Sequence, residues 1–221
     1  MEKNVSVRQL ERYPIYLRYF ISLKEEGIDT ISSPVIAKAM KCSEEQVRKD
    51  LQAISTHEGK PRYGRDVSDI INDLELFLGY NKLSEAIIVG AGHLGGAYLN
   101  YKGFDSFGLK IKCAFDNDKN KIGQIINGKC IYSIDELETK IKEYNIKIAL
   151  LTVPSYAAQD IADILVKSGI KAIWNFTSVQ LKANDDVAIE SVNLASSFAV
   201  LTHKMNEIKN GNYWNIKTTI L

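Results

Sequence analysis

One stretch of the sequence decides the fold: Glu85-Ala86-Ile87-Ile88-Val89-Gly90-Ala91-Gly92-His93-Leu94-Gly95. It begins with an apolar run that lacks polar alternation, which predicts a strand buried on both faces of a parallel sheet. The glycines that follow allow a tight turn, leave room for a pyrophosphate and let a helix pack closely on the strand. The N-terminus of that helix favours negative charge. The stretch therefore predicts a phosphate-binding turn, and we expect a bound dinucleotide to contact Gly90, Ala91, Gly92, His93, Leu94 and Gly95.

Apolar runs and amphipathic stretches alternate beyond this turn. The expected strands are 85–89, 109–115, 146–153 and 171–176, and the expected helices are 93–101, 133–144 and 155–168. Strands that alternate with helices indicate a doubly wound α/β domain with a parallel sheet. Residues 81–191 are thus predicted to form a Rossmann-type nucleotide-binding domain.

Asp116 ends the second expected strand, about 20 residues after Gly95, where a carboxylate takes the ribose hydroxyls of a dinucleotide. The acidic run Asp116-Asn117-Asp118 offers no arginine for a 2′-phosphate, so NAD(H) is favoured over NADP(H). Two alternatives remain open at this point. The turn belongs to a Rossmann-like domain that binds nothing, or it holds coenzyme A or a mononucleotide.

The segments after the later strands supply hydroxyls, amides and an aromatic ring. These residues are Thr152, Val153, Pro154, Asn175, Phe176 and Thr177. They border the crevice where ligands bind in open sheets, although they also suit plain strand capping. Such groups bind well and catalyse poorly. We expect no catalytic residue, and hydride transfer is not favoured.

Residues 1–80 are expected to be helical, with no strand-like alternation between residues 5 and 78. Pro14 is expected to open the first helix, and Ser43 is expected to cap the third. Three compact helices, with the helix-turn-helix at about 16–55, precede a basic segment with glycine and proline at about 57–65. This is the order of a winged helix-turn-helix. A plain three-helix bundle is the open alternative.

In a winged helix-turn-helix the third helix enters the major groove with its N-terminus first. We expect Ser43, Gln46, Arg48 and Lys49 to contact operator DNA from that helix, and Lys60, Arg62 and Arg65 to contact it from the wing.

A long amphipathic helix is expected at 192–209, after the sheet is complete. Its broad apolar face either covers the flank of its own sheet or packs on a second copy. We favour the second copy, because a symmetric dimer places two reading heads on a two-fold DNA site. Residues 192–221 are therefore predicted to form a dimerisation helix and tail.

Composition excludes several classes of protein. The chain has 221 residues, of which 45% are hydrophobic and 25% charged, with a net charge of +1. These values fit a globular protein and exclude a fibrous or wholly disordered one. We expect a cytoplasmic protein without a membrane partner, since no apolar run reaches a membrane-spanning length. The three cysteines (Cys42, Cys113 and Cys130) lack the paired spacing of a metal site or disulfide framework, so no metal is expected.

Several separated stretches together resemble the Rex family of redox-sensing transcriptional repressors, over about residues 5–205. The stretches are Gln46–Leu51, Gly90–Phe104, Ala114–Asp116, Leu151–Pro154 and Asn175-Phe176. The resemblance implies a homodimer that senses the NADH/NAD ratio. It implies that the dimer holds operator DNA when NAD-bound or cofactor-free, and releases it when NADH binds.

The resemblance also implies a hydrogen-bond switch. Arg18 and Tyr101 match its arginine and tyrosine, while Asn193 stands where the family has an aspartate. Leu194 follows as the residue that closes over the cofactor, and Phe198 belongs to the dimerisation helix, which is expected to be swapped between subunits. An uncharged amide weakens a charge-assisted contact, so a retuned NADH response is expected.

Two further departures fall on the expected DNA-reading surface. The recognition helix continues as Gln52-Ala53-Ile54-Ser55, where the family has a small residue and then Tyr-Phe-Gly, and the wing contains Pro61. Two alternatives to a NADH-responsive repressor therefore stay open. The first is a dinucleotide-binding paralogue with altered or lost DNA recognition, and the second is a small NAD-dependent oxidoreductase.

Overall fold

The computed structural model describes residues 5–56 and 64–209. The chain divides into two compact units: residues Met1–Asn81 with His203–Leu221, and residues Lys82–Thr202. Within the described ranges, no helix has the length and apolar character needed to cross a membrane.

The first unit contains four helices and a two-stranded sheet within the described residues. Its elements are α1 (Val7–Glu25), β1 (Thr30–Ile31), α2 (Ser33–Met40), α3 (Glu44–Ile54), β2 (Arg65–Asp66) and α4 (Val67–Leu78). Strands β1 and β2 pair antiparallel, with Thr30 opposite Asp66. Strand β1 lies between α1 and α2 and pairs with β2, which follows α3, so the described residues keep the helix order expected for a winged helix-turn-helix.

Two local expectations for this unit were wrong. Helix α1 begins at Val7 rather than Pro14, because Ser6 and Gln9 form a reciprocal capping box about two turns earlier. Pro14 therefore lies inside the helix. Strand β1 was missed, since two residues are too short to show an alternating pattern. Of the expected wing, residues 57–63, including Lys60, Pro61 and Arg62, lie outside the described residues.

The core of the first unit is a single apolar cluster contributed by all four helices. Tyr13, Tyr16 and Phe20 from α1 are fully buried in it. Val47 and Leu74 bring α3 and α4 to the same cluster. Burial of this aromatic face fixes α1 against both helices, and so determines which face of α3 remains in solvent.

The second unit is a parallel sheet with helices on both faces. Its elements are β3 (Ser84–Val89), α5 (His93–Asn100), β4 (Leu109–Asp116), β5 (Ile125–Ile126), β6 (Lys129–Ser133), α6 (Leu137–Glu143), β7 (Ile148–Leu151), α7 (Ala158–Lys167), β8 (Ala172–Asn175) and β9 (Ala188–Ser191). Helix α8 (Leu194–Lys209) begins in this unit, and its residues from His203 onward are counted with the first unit. The strand order is β5-β6-β4-β3-β7-β8-β9, parallel throughout except for the β5–β6 pair. The doubly wound α/β fold expected from the sequence is confirmed.

The strand order reverses at β3. The chain moves outward from β3 to β4 and β6 on one side, and returns through β7, β8 and β9 on the other. In open α/β sheets, ligands bind at the carboxyl ends of the strands where the order reverses. The turn after β3 and the segment after β7 meet at this place.

Candidate nucleotide and DNA sites

The turn between β3 and α5 is built from glycines because side chains do not fit there. Gly90 has φ +99°, and a Cβ at this position would lie 2.8 Å from the backbone of Thr152. A Cβ on Gly95 would overlap the carbonyl oxygen of Gly90. The Thr152 hydroxyl donates to that oxygen at 2.7 Å, which ties the turn to the end of β7. The N-terminus of α5, with Gly92 as its N-cap, is thereby held open towards solvent.

Asp116 lies at the end of β4 and is buried under this turn. Its Oδ2 accepts the backbone N–H of Ala91 at 2.8 Å, and its Oδ1 accepts that of Asp118 at 2.9 Å. The Lys121 ammonium lies 3.1 Å from Oδ2. Burial works to raise the pKa of Asp116, but these hydrogen bonds and the Lys121 charge outweigh it and hold the pKa below its ordinary value. The site therefore presents an ionised, immobilised carboxylate.

A cleft of about 780 Å³ opens between the ends of β3, β4, β6 and β7. Its polar lining comes from Gly90, Gly92, Asp116, Asn117, Asp118, Lys119, Lys121, Ser133, Asp135 and Thr152. Its apolar lining comes from Ile122, Ile134, Val153, Pro154, Tyr156, Ala157 and Ile161. Apolar walls beside a fixed carboxylate and a helix N-terminus suit a flat base, a ribose and phosphates respectively. The volume and chemistry of the cleft fit the adenosine diphosphate half of a dinucleotide.

The expected cofactor residues divide into four groups. Gly90, Gly92, Asp116, Thr152, Val153 and Pro154 line the cleft. Ala91 and Gly95 are buried in the turn that shapes it, while His93 and Leu94 are solvent-exposed in the first turn of α5.

Asn175 is the last residue of β8, Phe176 and Thr177 follow it, and none of the three lines the cleft. Asn175 is fully buried, and its side chain bonds Thr177, Ser191 and the Val179 carbonyl. The Phe176 ring lies 4.8 Å from that of Tyr98. The side-chain amide of Asn175 therefore stabilises the loop that follows β8.

Sequence reasoning missed several residues that line the cleft. Lys121 could have been identified from the sequence, because it follows Asp116 by only five positions. Ser133 and Ile134 were expected to begin the helix at 133–144, and β6, which ends at Ser133, was absent from the expected strands. Strand β6 is short and only partly buried, so its apolar pattern is weak, and β9 was missed for the same reason.

The first unit presents the expected DNA-reading residues on α3. The Ser43 hydroxyl accepts the backbone N–H of Gln46 at 3.1 Å and caps the helix. Arg48 and Lys49 project into solvent, paired with Glu44 at 3.4 Å and Glu45 at 2.7 Å. Both basic side chains are therefore available to phosphates.

Two of the expected DNA residues are engaged within the protein. The half-buried Gln46 side chain donates to Asp50 Oδ1 at 2.8 Å, so one of its amide hydrogens is used within the protein. A buried carboxylate that needs donors accounts for this hydrogen bond. Arg65 is half-buried on β2 and donates to the Ser55 hydroxyl at 3.0 Å.

The expected switch residues are all near the surface. Arg18 is exposed on α1. Tyr101 follows α5, and its ring meets Phe104 edge-on at 5.0 Å. Asn193 precedes α8, where its Oδ1 accepts the Ser196 backbone N–H at 2.9 Å, as an N-cap does. Leu194 and Phe198 on α8 are 76% and 65% exposed. Within the described residues, no group of three or more His, Cys, Asp and Glu side chains could hold a metal.

A winged helix joined to a nucleotide-binding α/β unit defines the class: a DNA-binding regulator with a nucleotide-sensing domain. Two family models match the chain, one for a DNA-binding protein N-terminus over residues 4–52 and one for a CoA binding domain over residues 81–179. The chain is 43% identical over 208 residues to the redox-sensing transcriptional repressor Rex of Treponema denticola, covering 94% of this chain and 99% of that one. It is 39% identical to the Rex of Bacteroides thetaiotaomicron, covering 90% and 91%. The chain belongs to the Rex family of redox-sensing transcriptional repressors.

Solved structures agree with this assignment. RSP, a Rex-family repressor, in complex with β-NAD⁺ and operator DNA matches with a TM-score of 0.88 and 34% identity, over 98% of this chain and 99% of that one. RSP in complex with β-NADH matches with a TM-score of 0.84 and 35% identity, over 93% and 96%. Although one family model is named for coenzyme A, these structural relatives hold NAD⁺ and NADH. The relatives are named repressors, in agreement with the expectation that the protein is not an enzyme.

Proposed function

We propose that the protein is a homodimeric repressor that holds operator DNA when NAD⁺-bound or cofactor-free and releases it when NADH binds. The observation that carries this proposal is the cleft around Asp116, present in the same chain as the exposed basic face of α3. The solved relatives, one with NAD⁺ and operator DNA and one with NADH, support a protein that binds both a dinucleotide and DNA. Because the proposed partner is chromosomal DNA, we place the protein in the cytoplasm.

The cofactor is NAD(H). Asp116 would hold the adenosine ribose hydroxyls, and the backbone N–H groups around Gly92 would hold the pyrophosphate. Among the described residues no arginine lines the cleft, and its two lysines are outnumbered by the carboxylates of Asp116, Asp118 and Asp135. Of these lysines, Lys119 and Lys121, the second is held by Asp116. This charge arrangement suits a free 2′-hydroxyl better than a 2′-phosphate. NAD(H) supplies the redox signal by binding, and no side chain is required to react with it.

Release of DNA follows from linkage between two binding equilibria. A ligand shifts a conformational equilibrium only by its differential affinity for the two states. NADH must therefore bind the form that does not hold DNA more tightly than the form that does, and operator DNA must lower NADH affinity by the same factor. NAD⁺ must bind the two forms almost equally, or favour the DNA-binding form.

The DNA contact is assigned to the exposed face of α3. Ser43, Arg48 and Lys49 lie at or near its N-terminal half, the part that enters the major groove in helix-turn-helix proteins. Arg48 and Lys49 already carry ion pairs with neighbouring glutamates. Exposed pairs of this kind are weak, so DNA phosphates can replace them.

The dimer contact is assigned to α8. Its exposed apolar side chains are Leu194, Phe198, Val200, Leu201, Met205 and Ile208, each at least 45% exposed. A contiguous apolar helix face on a surface marks an interaction site. A second copy of the chain would cover it and bring two α3 helices onto a two-fold operator.

The decisive experiment measures retention of operator DNA at fixed salt while NAD⁺ or NADH is titrated. NADH is expected to release the DNA, and NAD⁺ is not. A double variant Arg48→Ala with Lys49→Ala should abolish retention and leave NADH affinity intact. Lys142→Ala with Lys167→Ala removes the same charge from the other unit and should leave retention unchanged. Tight NADH binding without any DNA retention would instead establish a dinucleotide-binding paralogue with lost DNA recognition.

A further inference from the structure

Two of the cysteines lie on neighbouring strands, although their spacing in the sequence gives no hint of it. Cys113 lies on β4 and Cys130 on β6. These strands pair in parallel with Ala114 opposite Ile131. The register therefore places Cys113 opposite Cys130, one position earlier on each strand.

The two side chains lie on the same face of the sheet. Cys113 and Phe115 belong to one buried cluster, and Tyr132 packs against that cluster. Cys130 precedes Tyr132 by two positions, so it points to the same side. Neighbouring strands lie about 4.8 Å apart, within the range of about 4.4–6.8 Å between Cα atoms that a disulfide spans. Both thiols are free in the structure.

The two thiols differ in access to solvent. Cys113 is only 2% exposed, and its burial raises its pKa to about 12. Cys130 is partly exposed. The thiolate is the reactive form of cysteine, and the raised pKa of Cys113 disfavours that form. An oxidant in solution therefore reacts first with the more exposed Cys130, and Cys113 reacts second.

We propose that Cys113 and Cys130 are a modification site, at which a peroxide converts them into a reversible disulfide. The Cys130 thiolate attacks one peroxide oxygen, the O–O bond breaks, and hydrogen peroxide is reduced to hydroxide, which takes up a proton to become water. The Cys130 sulfenic acid is then attacked by the Cys113 sulfur. The S–S bond forms, the Cys113 proton goes to the departing oxygen, and a second water leaves. A thiol reductant reverses the step by exchange.

The position of the pair gives the disulfide an effect on the cleft. Three residues beyond each cysteine, β4 ends at Asp116 and β6 at Ser133, and both line the cleft. A disulfide draws the two Cβ atoms to about 3.8 Å, closer than side chains on parallel neighbours normally lie. The bond is therefore strained and readily reduced. The inferred consequence rests on the proposed cofactor site: the disulfide lowers NADH affinity. The expected loss is about fivefold, the lower end of typical coupling between two sites.

The first test does not depend on the cofactor. The full-length protein is treated with hydrogen peroxide, alkylated and digested, and the peptides are identified by mass. A linked Cys113–Cys130 peptide that disappears with dithiothreitol is expected. Cys42→Ser should still form the linked peptide, whereas Cys130→Ser and Cys113→Ser should not. If Cys113→Ser folds poorly, Cys113→Ala is used in its place. Oxidation that stops at Cys130 as a sulfinic acid, or that modifies Cys42 alone, would overturn the proposal.

The second test compares NADH titrations of reduced and oxidised protein. The loss of affinity should be absent in Cys130→Ser and present in Cys42→Ser. A linked peptide with unchanged NADH affinity would overturn the inferred effect on the cleft. Failure of the reduced protein to bind NADH would count against the proposed cofactor site and leave the disulfide standing on the peptide result.

Discussion

Arg12 and Asp50 form a buried, bidentate ion pair that joins α1 to α3. The guanidinium donates from Nε to Oδ2 at 2.7 Å and from Nη2 to Oδ1 at 2.6 Å. Tyr16 and Gln46 donate to the same carboxylate at 3.0 Å and 2.8 Å. All of these groups are satisfied only when α3 sits at one angle on α1. The pair therefore orients the helix to which we assign the DNA contact.

Removing one partner of this pair should destabilise the first unit strongly. Asp50→Ala leaves the Arg12 charge buried and unpaired, which typically costs about 3–5 kcal/mol. We expect urea unfolding of the full chain to show an early transition and DNA retention to be lost. NADH affinity should stay close to that of the unchanged protein.

A paired replacement separates charge from packing. Arg12→Met with Asp50→Leu removes both charges together, and apolar replacement of a whole buried pair is often neutral or stabilising. This double variant should unfold later than Asp50→Ala. If it unfolds equally early, packing rather than the ion pair holds α3 in place.

Alkaline pH should weaken the same cluster. Burial, followed by the nearby Asp50 charge, raises the pKa of Tyr13 from 10.0 to about 12 and raises that of Tyr16 further. Both phenols stay protonated in the folded chain but ionise near pH 10 once unfolded. Their contribution to stability is thus complete below pH 10 and is lost as the pH rises from there through the folded-state values.

The check is the urea midpoint of the full chain between pH 8 and pH 11. Tyr16→Phe should lose less stability over this range than the unchanged protein, although it starts about 1.5–3 kcal/mol lower because the hydrogen bond to the Asp50 carboxylate is gone. Tyr156→Phe is the matched control, since Tyr156 is 85% exposed. An equal loss of stability at alkaline pH in all three proteins would show that ionisation of groups other than Tyr16 causes the loss.

The glutamates in the first turn of α3 should restrain DNA binding. Glu44 and Glu45 neutralise Arg48 and Lys49 on the helix face assigned to the operator. Glu44→Gln with Glu45→Gln frees both basic side chains and removes two charges that repel phosphates. We expect DNA affinity to rise by at least about twofold, with a steeper dependence on salt.

A charge-matched control addresses a general effect of net charge. Glu138→Gln with Glu143→Gln removes two glutamates that pair with lysines on α6. This variant should bind DNA like the unchanged protein. An equal rise in both double variants would mean that overall charge, and not the face of α3, sets the affinity.

The sequence predicted the nucleotide domain well because its signals are local. The apolar run up to Val89, the glycine turn and Asp116 each have a fixed position relative to the others, and backbone geometry allows few alternatives there. The cleft that they form could be placed before any side-chain position was known.

The features that the sequence did not reveal depend on contacts between distant residues. Gln46 donates to Asp50 because that carboxylate is buried under α1, and a helical pattern alone does not show that. The start of α1 was misplaced because a proline signal was given more weight than the capping pair at Ser6. The Cys113–Cys130 pair depends on the register of β6, a strand too short and exposed to recognise from its composition.

Asp116 and Lys121 should contribute unequally to cofactor binding. Asp116→Ala removes the proposed ribose acceptor and also the group that accepts the Ala91 and Asp118 backbone N–H groups. NADH affinity should fall by more than about tenfold, or about 1.4 kcal/mol. Lys121→Met removes a side chain that is 33% exposed, and the two backbone hydrogen bonds still hold the carboxylate. A loss of only a few fold is expected.

Fluorescence titration of NADH measures both variants, with Lys147→Met as a control for loss of an exposed lysine elsewhere in the unit. Urea unfolding shows whether Asp116→Ala still folds, and Asp116→Asn keeps an acceptor oxygen for the backbone if it does not. An unchanged affinity in folded Asp116→Ala would move the ribose contact away from this carboxylate. A larger loss in Lys121→Met than in Asp116→Ala would mean that the ammonium, once released from Asp116, contacts the nucleotide itself.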